Sequence, residues 1–455
     1  MPPFVSIDPT TGRRVRAYRA HTPAEIETAL QRADRAYRGW RELAAADRAR
    51  PLRTVARNLR ARSPELAALM TSEMGKPLAQ ARAEIEKSAL ACEHYARHAR
   101  EYLAEEHPPG APPNARVAFE GIGVVLAIMP WNFPVWQVVR AAAPILCAGN
   151  AFLLKHAPNV CGSALAVAEV FADAGLPAGL FQALIVSTDR IPAIIADRRV
   201  QAVTLTGSTR AGRTVAALAG AAMKKGVFEL GGNDPYLVLA DADLDQAAEI
   251  CASSRLINSG QSCVCAKRFI VVSSVRREFE RKFAARLAAR RVGDPRDPTT
   301  EIGPIARSDL RDHLHAQVSA SLKAGARLVM GGHPMPGPGF FYETTLLTGV
   351  TKGQPAQDEE LFGPVAAIIP VRDEAAAISA ANDSIYGLGA AIFSRRRRRA
   401  RLVASRLQAG AVFINDFVRS DPTMPFGGIK QSGYGRELGQ FGIREFVNAK
   451  TIVVS

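Results

Sequence analysis

A chain of 455 residues with 47% hydrophobic and 22% charged residues is too long for one hydrophobic core and too ordinary in composition for a fibrous or disordered protein, so two or more lobes are expected. Its six cysteines, at 92, 147, 161, 251, 263 and 265, show no C-x-x-C pair and no Cys/His cluster at zinc spacing, which argues against a disulfide scaffold and a structural metal. The net charge of +15 could serve nucleic acid. The arginines, however, are spread over helix faces, and the densest run, Ser394 to Leu402, lacks the interleaved aromatics of a base-stacking platform; it is read as one solvated turn, and no nucleic-acid partner is expected.

The opening MPPFVSIDPTTG has no basic region followed by an apolar run, so no signal peptide is expected. The apolar segments near Ile122–Met129 and Ala141–Leu154 are short and interrupted by Pro130, Pro144, Gly149 and Asn150, against membrane spans. A cytoplasmic, reducing location is expected. The first hundred residues read as helical and surface-like. Thr22-Pro23-Ala24-Glu25 is a capping box with proline at the first helical position, and Ser63-Pro64-Glu65 opens a second helix in the same manner. MGKP at Met74–Pro77 breaks the pattern before a long helix from about Leu78 to Ala104, and HPPGAPP at His107–Pro113 is a loop.

Short apolar runs then alternate with helical segments: 124–129, 151–155, 181–186, 202–207 and 227–230, with helices over about Val135–Leu146, Cys161–Ala174 and Thr209–Ala222. This alternation predicts a parallel sheet with crossover helices, an α/β lobe of the nucleotide-binding kind. After Gly231-Gly232 a second α/β series begins, with a helix over about Leu244–Leu256 and strands at FIVVSS, AAIIPV, GAAIFS and GAVFIN.

Chemistry is suggested by four segments. Thr206 to Gly212, TGSTRAG, follows a strand and opens a helix, as a phosphate-binding turn would, although glycine at such turns often has only a steric role. NSGQSCVCAKRF, Asn258–Phe269, places two cysteines two residues apart and leaves three readings open: a metal fragment, a redox pair, or one nucleophile with a bystander. Asn258-Ser259-Gly260 is a helix-ending signal, so Cys263 follows a turn and is not on a periodic apolar face; taken alone, a buried inert thiol remains the stronger reading. Two further segments shift that balance. FELGG puts Glu229 at a strand end beside two glycines, and PWNFP puts the Asn132 amide at another strand end between prolines. A nucleophile, a general base and an oxyanion donor form a complete set for acyl chemistry.

Six segments, MPWNFP, TLTGSTRAG, FELGGNDP, NSGQSCVCAKRF, DEELFGPV and PFGGIKQSGYGRELG, resemble the signatures of the aldehyde dehydrogenase superfamily in the same order and spacing. The resemblance runs from Asp8-Pro-Thr-Thr-Gly to the last strand. PWNFPVWQVVR, LLKHAPN and FELGGNDP are most similar to the short succinate-semialdehyde dehydrogenases.

The resemblance implies an aldehyde dehydrogenase-like α/β fold: a Rossmann-like dinucleotide-binding domain over 1–109 and 123–229, a catalytic domain over 230–441, and oligomerisation strands over 110–122 and 442–455, giving a homodimer or homotetramer. It implies NAD(P)-dependent oxidation of a small aldehyde to the acid, with Cys263 as nucleophile, Asn132 and the Cys263 N–H holding the oxyanion, and Glu229 activating water. Trp131, Asn132, Lys155, His156, Ala157, Pro158, Gly207, Ser208, Leu230, Glu360 and Phe362 would surround the cofactor. NAD-preferring relatives commonly carry an acid three residues after the lysine; Pro158 stands there, so NADP is the expected cofactor, with NAD use open. Arg140 and Ser420 would bind a substrate carboxylate, although Arg140 on its own reads as a surface helix arginine. Where some of these relatives carry a second arginine, six residues before the nucleophile, this chain has Ile257, so broader aliphatic or aromatic aldehyde specificity is the alternative. Non-catalytic and nucleic-acid-binding roles on the same fold are rivals of another class, and the presence of all three catalytic candidates speaks against the first. Cys265 is either a small residue behind the loop or a redox partner of Cys263.

Overall fold

The computed structural model describes residues 4–454. Two open sheets form its centre. The first has six strands in the order Gly433–Tyr434, Lys225–Glu229, Val200–Thr206, Val124–Met129, Ala151–His156 and Phe181–Ala183. Apart from the antiparallel edge pair Gly433–Tyr434 with Lys225–Glu229, all its pairings are parallel. The second has seven strands, in the order Arg327–Met330, Thr345–Thr348, Val365–Val371, Arg268–Val272, Pro235–Val238, Gly389–Phe393 and Ala411–Ile414, with only the first pair antiparallel. Central strands such as Ala151–His156 are buried at every position, which is why they read as continuous apolar runs with no alternation.

The crossover helices fall where the apolar spacing places them: Trp136–Cys147, Cys161–Ala172, Thr209–Ala221 and Leu244–Leu256. The arginine run is the start of the short helix Arg397–Ala404, with Arg399 on Glu374 and Arg395 near Asp243.

The first hundred residues depart from expectation. They begin with an antiparallel pair, Phe4–Ile7 and Arg14–Tyr18, and their helices are not a surface layer. Leu52, Val55, Ala56, Leu59, Met70, Ala89, Ala91, Cys92 and Tyr95 are fully buried against the first sheet's helices. Alanine supplies much of that buried stripe, and its small apolar area gives a weak sequence signal. The capping box at Thr22 forms, with Thr22 accepting from the Glu25 N–H at 3.3 Å and donating its own N–H to the Glu25 carboxylate at 2.7 Å. Ser63 does not repeat it; it lies inside the helix Ser63–Met74, which has no side-chain cap.

Two glutamates from this region cap distant helices. Glu84, on the helix Leu78–Tyr102, accepts the Val135 and Trp136 N–H groups at 2.9 Å each. Glu73 accepts the Gly162 and Ser163 N–H groups, also at 2.9 Å. A carboxylate at a helix N-terminus meets both free donors and the positive end of the dipole, so these two residues fasten the helical layer to the sheet.

The chain's last part returns to the first sheet: Phe426, Leu438, Ile443 and Phe446 pack in its core. Val447–Val453 then pairs antiparallel with Ala115–Gly121 as a separate two-stranded ribbon whose end, Ile452 to Val454, is exposed.

Candidate active site

The loop after the helix Leu244–Leu256 is built to hold an unusual path. Asn258, Ser259 and Gly260 all take left-handed backbone, with φ of 53°, 56° and 74°. Such strain persists only when neighbours over-determine it, and here they do. The Asn258 N–H donates to Gln80 at 2.7 Å, and Ser259 Oγ accepts from the Gly303 N–H at 2.8 Å. Gln261 accepts from the Ala306 N–H at 2.9 Å. Beneath the loop, buried Lys267 donates to the carbonyls of Ser262 at 3.0 Å and Cys263 at 2.7 Å, and pairs with Glu360 at 3.3 Å.

Cys263 is thereby held, partly exposed, at the wall of a cavity of about 400 Å³. The cavity is lined by Phe133, Trp136, Gln137 and Arg140 from one helix and its preceding turn, by Lys76, Ala83, Glu84 and Lys87, and by Ile257, Phe417, Ser420 and Phe426. Asn132 is buried and bonded to the same loop: its Nδ2 donates to the Gln261 carbonyl at 3.1 Å, and its Oδ1 accepts from Gln137 at 3.1 Å. Gly232 closes the loop from below, where a Cβ would stand 2.6 Å from the Cys263 carbonyl oxygen.

Glu229, at the end of its strand, is 3% exposed, and its carboxylate meets only the Gly428 backbone N–H, with no side-chain partner among the described residues. Burial pushes its pKa well above the usual range, helped by Glu437 and opposed by Arg140 and Arg436. Arg140 is also buried, ion-paired with Glu437, bonded to Thr206 at 3.2 Å and stacked over Phe426 at 4.9 Å. Burial likewise pushes the Cys263 thiol up to about 12, with Arg140 and Lys267 opposing and Glu360 and Glu229 adding to it. The resting thiol is therefore neutral, and attack requires a base or a nearby positive charge.

The residues expected at the cofactor lie where the two sheets meet, beside Gly231 and Gly232. Glu360 accepts from the Gly232 N–H at 3.2 Å, and Trp131 meets Phe362 edge-on at 5.7 Å. The helix Thr209–Ala221 opens here, capped by Ser208, which accepts from the Ala211 N–H at 3.3 Å. The N-terminus of Cys161–Ala172 is filled by Glu73, which leaves the Thr209 helix for a phosphate. Lys155 is buried with no carboxylate in ion-pair reach among the described residues, and burial lowers its pKa. Nearby in sequence, buried Asn159 has neither end of its side-chain amide partnered.

A family model described as the aldehyde dehydrogenase family matches residues 2–452. The chain belongs to the aldehyde dehydrogenase family. It is 48% identical over 448 residues to the NAD(P)+ succinate semialdehyde dehydrogenase Sad of Escherichia coli (strain K12), covering 98% of this chain and 97% of the relative. It is 47% identical to a probable NADP+ succinate-semialdehyde dehydrogenase of Synechocystis sp., covering 99% and 100%. The structure of succinic semialdehyde dehydrogenase from Streptococcus pyogenes in complex with NADP+ superposes with a TM-score of 0.96 at 38% identity, covering 99% of each chain.

In this dehydrogenase Cys263 lines the cavity, Asn132 is bonded to the loop that carries it, and Glu229 is near enough to act on the Cys263 thiol electrostatically. Arg140 and Ser420, expected at the substrate, both line the cavity, and the structure adds the partners of three expected site residues. Arg140 is no surface arginine; it is 2% exposed, and its charge is already matched by Glu437. His156, expected beside the cofactor, has its ring engaged by backbone: Nε2 donates to the Pro134 carbonyl at 2.9 Å and Nδ1 accepts from the Ala157 N–H at 2.9 Å. That neutral tautomer agrees with a pKa that burial lowers to about 4, and the ring braces the 130–134 turn. Ser420 lines the cavity, but its Oγ is bonded to Lys87 at 2.8 Å, a partner the sequence analysis did not name. Lys267, Glu437 and Glu84 were also missed. Two of them sit inside quoted motifs, CVCAKRF and GRELG, where the charge itself was the available sign.

Proposed function

We propose that the protein oxidises succinate semialdehyde to succinate with NADP, NAD being the weaker cofactor. A thiol on a cavity wall, with an oriented buried amide bonded to its loop and a buried carboxylate acting on it electrostatically, is the observation that carries the reading. The relatives named for succinate semialdehyde, matched over nearly their whole length, support the substrate class.

In this reading the Glu229 carboxylate, made a stronger base by burial, is the group that exchanges protons with the site. The Cys263 thiol gives its proton to the Glu229 carboxylate, which passes it to solvent, and adds to the aldehyde carbon, forming a thiohemiacetal whose oxyanion is held by Asn132 Nδ2 and the Cys263 N–H. NADP, when bound, supplies the hydride acceptor. Loss of hydride leaves a thioester on Cys263; Glu229 takes a proton from water, hydroxide adds to the thioester carbon, and the C–S bond breaks to release succinate and the thiolate. Lys155, with no acid at Pro158 to repel a 2′-phosphate, and the free donors at Thr209 would hold the cofactor; the partnerless amide of Asn159 fits a ligand there. The ribbon of Ala115–Gly121 and Val447–Val453 supports assembly of a homo-oligomer, because its exposed apolar end is a liability unless covered. Six free thiols fit a reducing cytoplasmic setting.

Steady-state kinetics with succinate semialdehyde and butanal, each with NADP and NAD, test the reading, with Cys263→Ala as the inactive control. The semialdehyde with NADP should give the highest kcat/KM. Equal values for the two aldehydes would remove the substrate assignment, and a strong preference for NAD would remove the cofactor assignment.

A further inference from the structure

Four cations line the cavity that Cys263 faces: Lys76, Lys87, Arg140 and Arg419. Three are already matched. Lys76 is buried against Glu84, Arg140 against Glu437, and Arg419 bonds Asp416 at 2.7 Å. Lys87 has no carboxylate within ion-pair distance among the described residues. It stands on the helix Leu78–Tyr102, half-buried, with its Nζ 4.4 Å from the centre of the Trp136 ring and donating to Ser420 Oγ at 2.8 Å.

We propose that Lys87, with the Ser420 hydroxyl, binds the distal carboxylate of the semialdehyde. This rests on the substrate reading given above. An ammonium carries three donors, and Ser420 takes one of them, so others remain for an incoming anion. Ser420 accepts from Lys87, which leaves its own O–H to donate to the second carboxylate oxygen. A charged group so enclosed without a counter-ion is destabilised until an anion arrives. Geometry and titration agree: burial lowers the Lys87 pKa to about 8, Arg140 and Arg419 push the same way, and Glu84 and Asp421 only partly oppose them. Glu84 is not free to serve as its partner, since it holds Lys76 and two backbone N–H groups. Phe133, Ile257, Val264 and Phe417 give the remaining wall an apolar surface suited to the methylenes between the two ends of the substrate.

The test is the ratio of kcat/KM for succinate semialdehyde to that for butanal, in wild type, Lys87→Met and Lys87→Arg. Removing a charge-assisted contact should lower the ratio by about 10- to 100-fold in Lys87→Met, through KM for the semialdehyde, and Lys87→Arg should restore most of it. In wild type, KM for the semialdehyde should climb above about pH 8 as Lys87 loses its proton, and it should stay flat there in Lys87→Arg. A wild type that prefers the semialdehyde, together with an unchanged ratio in Lys87→Met, overturns the role of Lys87 and leaves the substrate assignment standing. A wild type with no preference overturns the substrate assignment itself, and the role of Lys87 with it. Should Lys87→Met fail to fold, the pH dependence of KM in wild type and Lys87→Arg decides: identical profiles overturn the proposal.

Discussion

Asn132 donates from its side chain to the main-chain oxygen of Gln261 at 3.1 Å, and Asn258 donates back to the main-chain oxygen of Asn132 at 2.7 Å. The turn at the end of one sheet and the cysteine loop at the end of the other are thus tied by reciprocal bonds. An amide nitrogen has two hydrogens; one is used on Gln261 and the other is available to an oxyanion on the Cys263 side. Gln137, bonded to Oδ1, keeps the amide from flipping. Asn132→Ala should lower kcat on the order of a hundredfold or more with little change in KM. It should also lose about 1–3 kcal/mol of stability, because the Gln137 amide is left unpartnered in a buried site. Kinetics and denaturant melts on one preparation check both; unchanged kcat would remove Asn132 from the oxyanion site.

Glu229 should make the fold pH-sensitive in a direction opposite to an ordinary salt-bridged acid. Its folded pKa is raised well above the usual 4.5 by burial and by Glu437. Below about pH 4.5 it is protonated in folded and unfolded chains alike, and nothing is lost. As pH rises through 4.5 the unfolded chain ionises freely while the folded carboxyl resists, so wild type loses stability progressively until the folded pKa is passed. Glu229→Gln has no such loss. The difference in Tm between Glu229→Gln and wild type should therefore grow from pH 5 to pH 8 in favour of the variant; a constant or shrinking difference would contradict the assignment.

The same substitution separates the two halves of the reaction. If Glu229 is indispensable only to the hydrolysis, Glu229→Gln should release about one equivalent of NADPH per site in a rapid burst and then stall at the thioester, since the residual steady state is limited by unassisted water attack. Stopped-flow absorbance at 340 nm, a wavelength set by the reduced nicotinamide, reads this directly. Absence of both burst and turnover would make Glu229 indispensable to thiol activation as well.

Much of this architecture was legible because the sheets are buried on both faces. The strand Val124–Met129 matches its apolar run to the residue, stopped by Pro130, and the helix Leu244–Leu256 ends at the Asn258-Ser259-Gly260 signal. What stayed hidden were buried charges whose partners are far away in sequence. Glu73 meets helix N–H groups 89 and 90 residues on, and Arg140 meets Glu437 from the far end of the chain; no local pattern announces such pairs. Lys87 was closer to visible. Glu84, Ala91 and Tyr95 are buried on the same helix, and Lys87 continues their three- and four-residue spacing, so a lysine stood on a stripe that should have been apolar.

Cofactor choice can be altered at one exposed position. Pro158 begins a short 3-10 turn three residues after Lys155, and its place carries no hydrogen-bonding role that glutamate would disrupt. A carboxylate there would repel a 2′-phosphate and offer a ribose hydroxyl an acceptor. Pro158→Glu should lower kcat/KM for NADP by about tenfold or more while that for NAD holds or rises. An unchanged NADP/NAD ratio would show that Lys155 and its neighbours do not contact the adenosine end.

The pair Cys263 and Cys265 comes down to which way the second thiol points. Cys265 is 2% exposed and its Sγ lies 2.9 Å from the Ser262 carbonyl, donating to it, with the Gly260 carbonyl at 3.5 Å. Lys267 holds the Ser262 and Cys263 carbonyls as well, so the backbone on both sides of Cys263 is fixed by three hydrogen bonds from two side chains. A bridge needs the two Cβ atoms within about 4.5 Å with a near-perpendicular S–S torsion. Reaching it from here means turning Cys265 off Ser262 and reorienting carbonyls that a buried ammonium holds. The resting loop therefore favours a bystander role for Cys265. Peroxide should inactivate wild type and Cys265→Ala at the same rate and to the same extent, with dithiothreitol restoring neither once the thiol has passed the sulfenic stage. Recovery by dithiothreitol in wild type alone would mean that the loop does turn, and that Cys265 resolves the oxidised nucleophile.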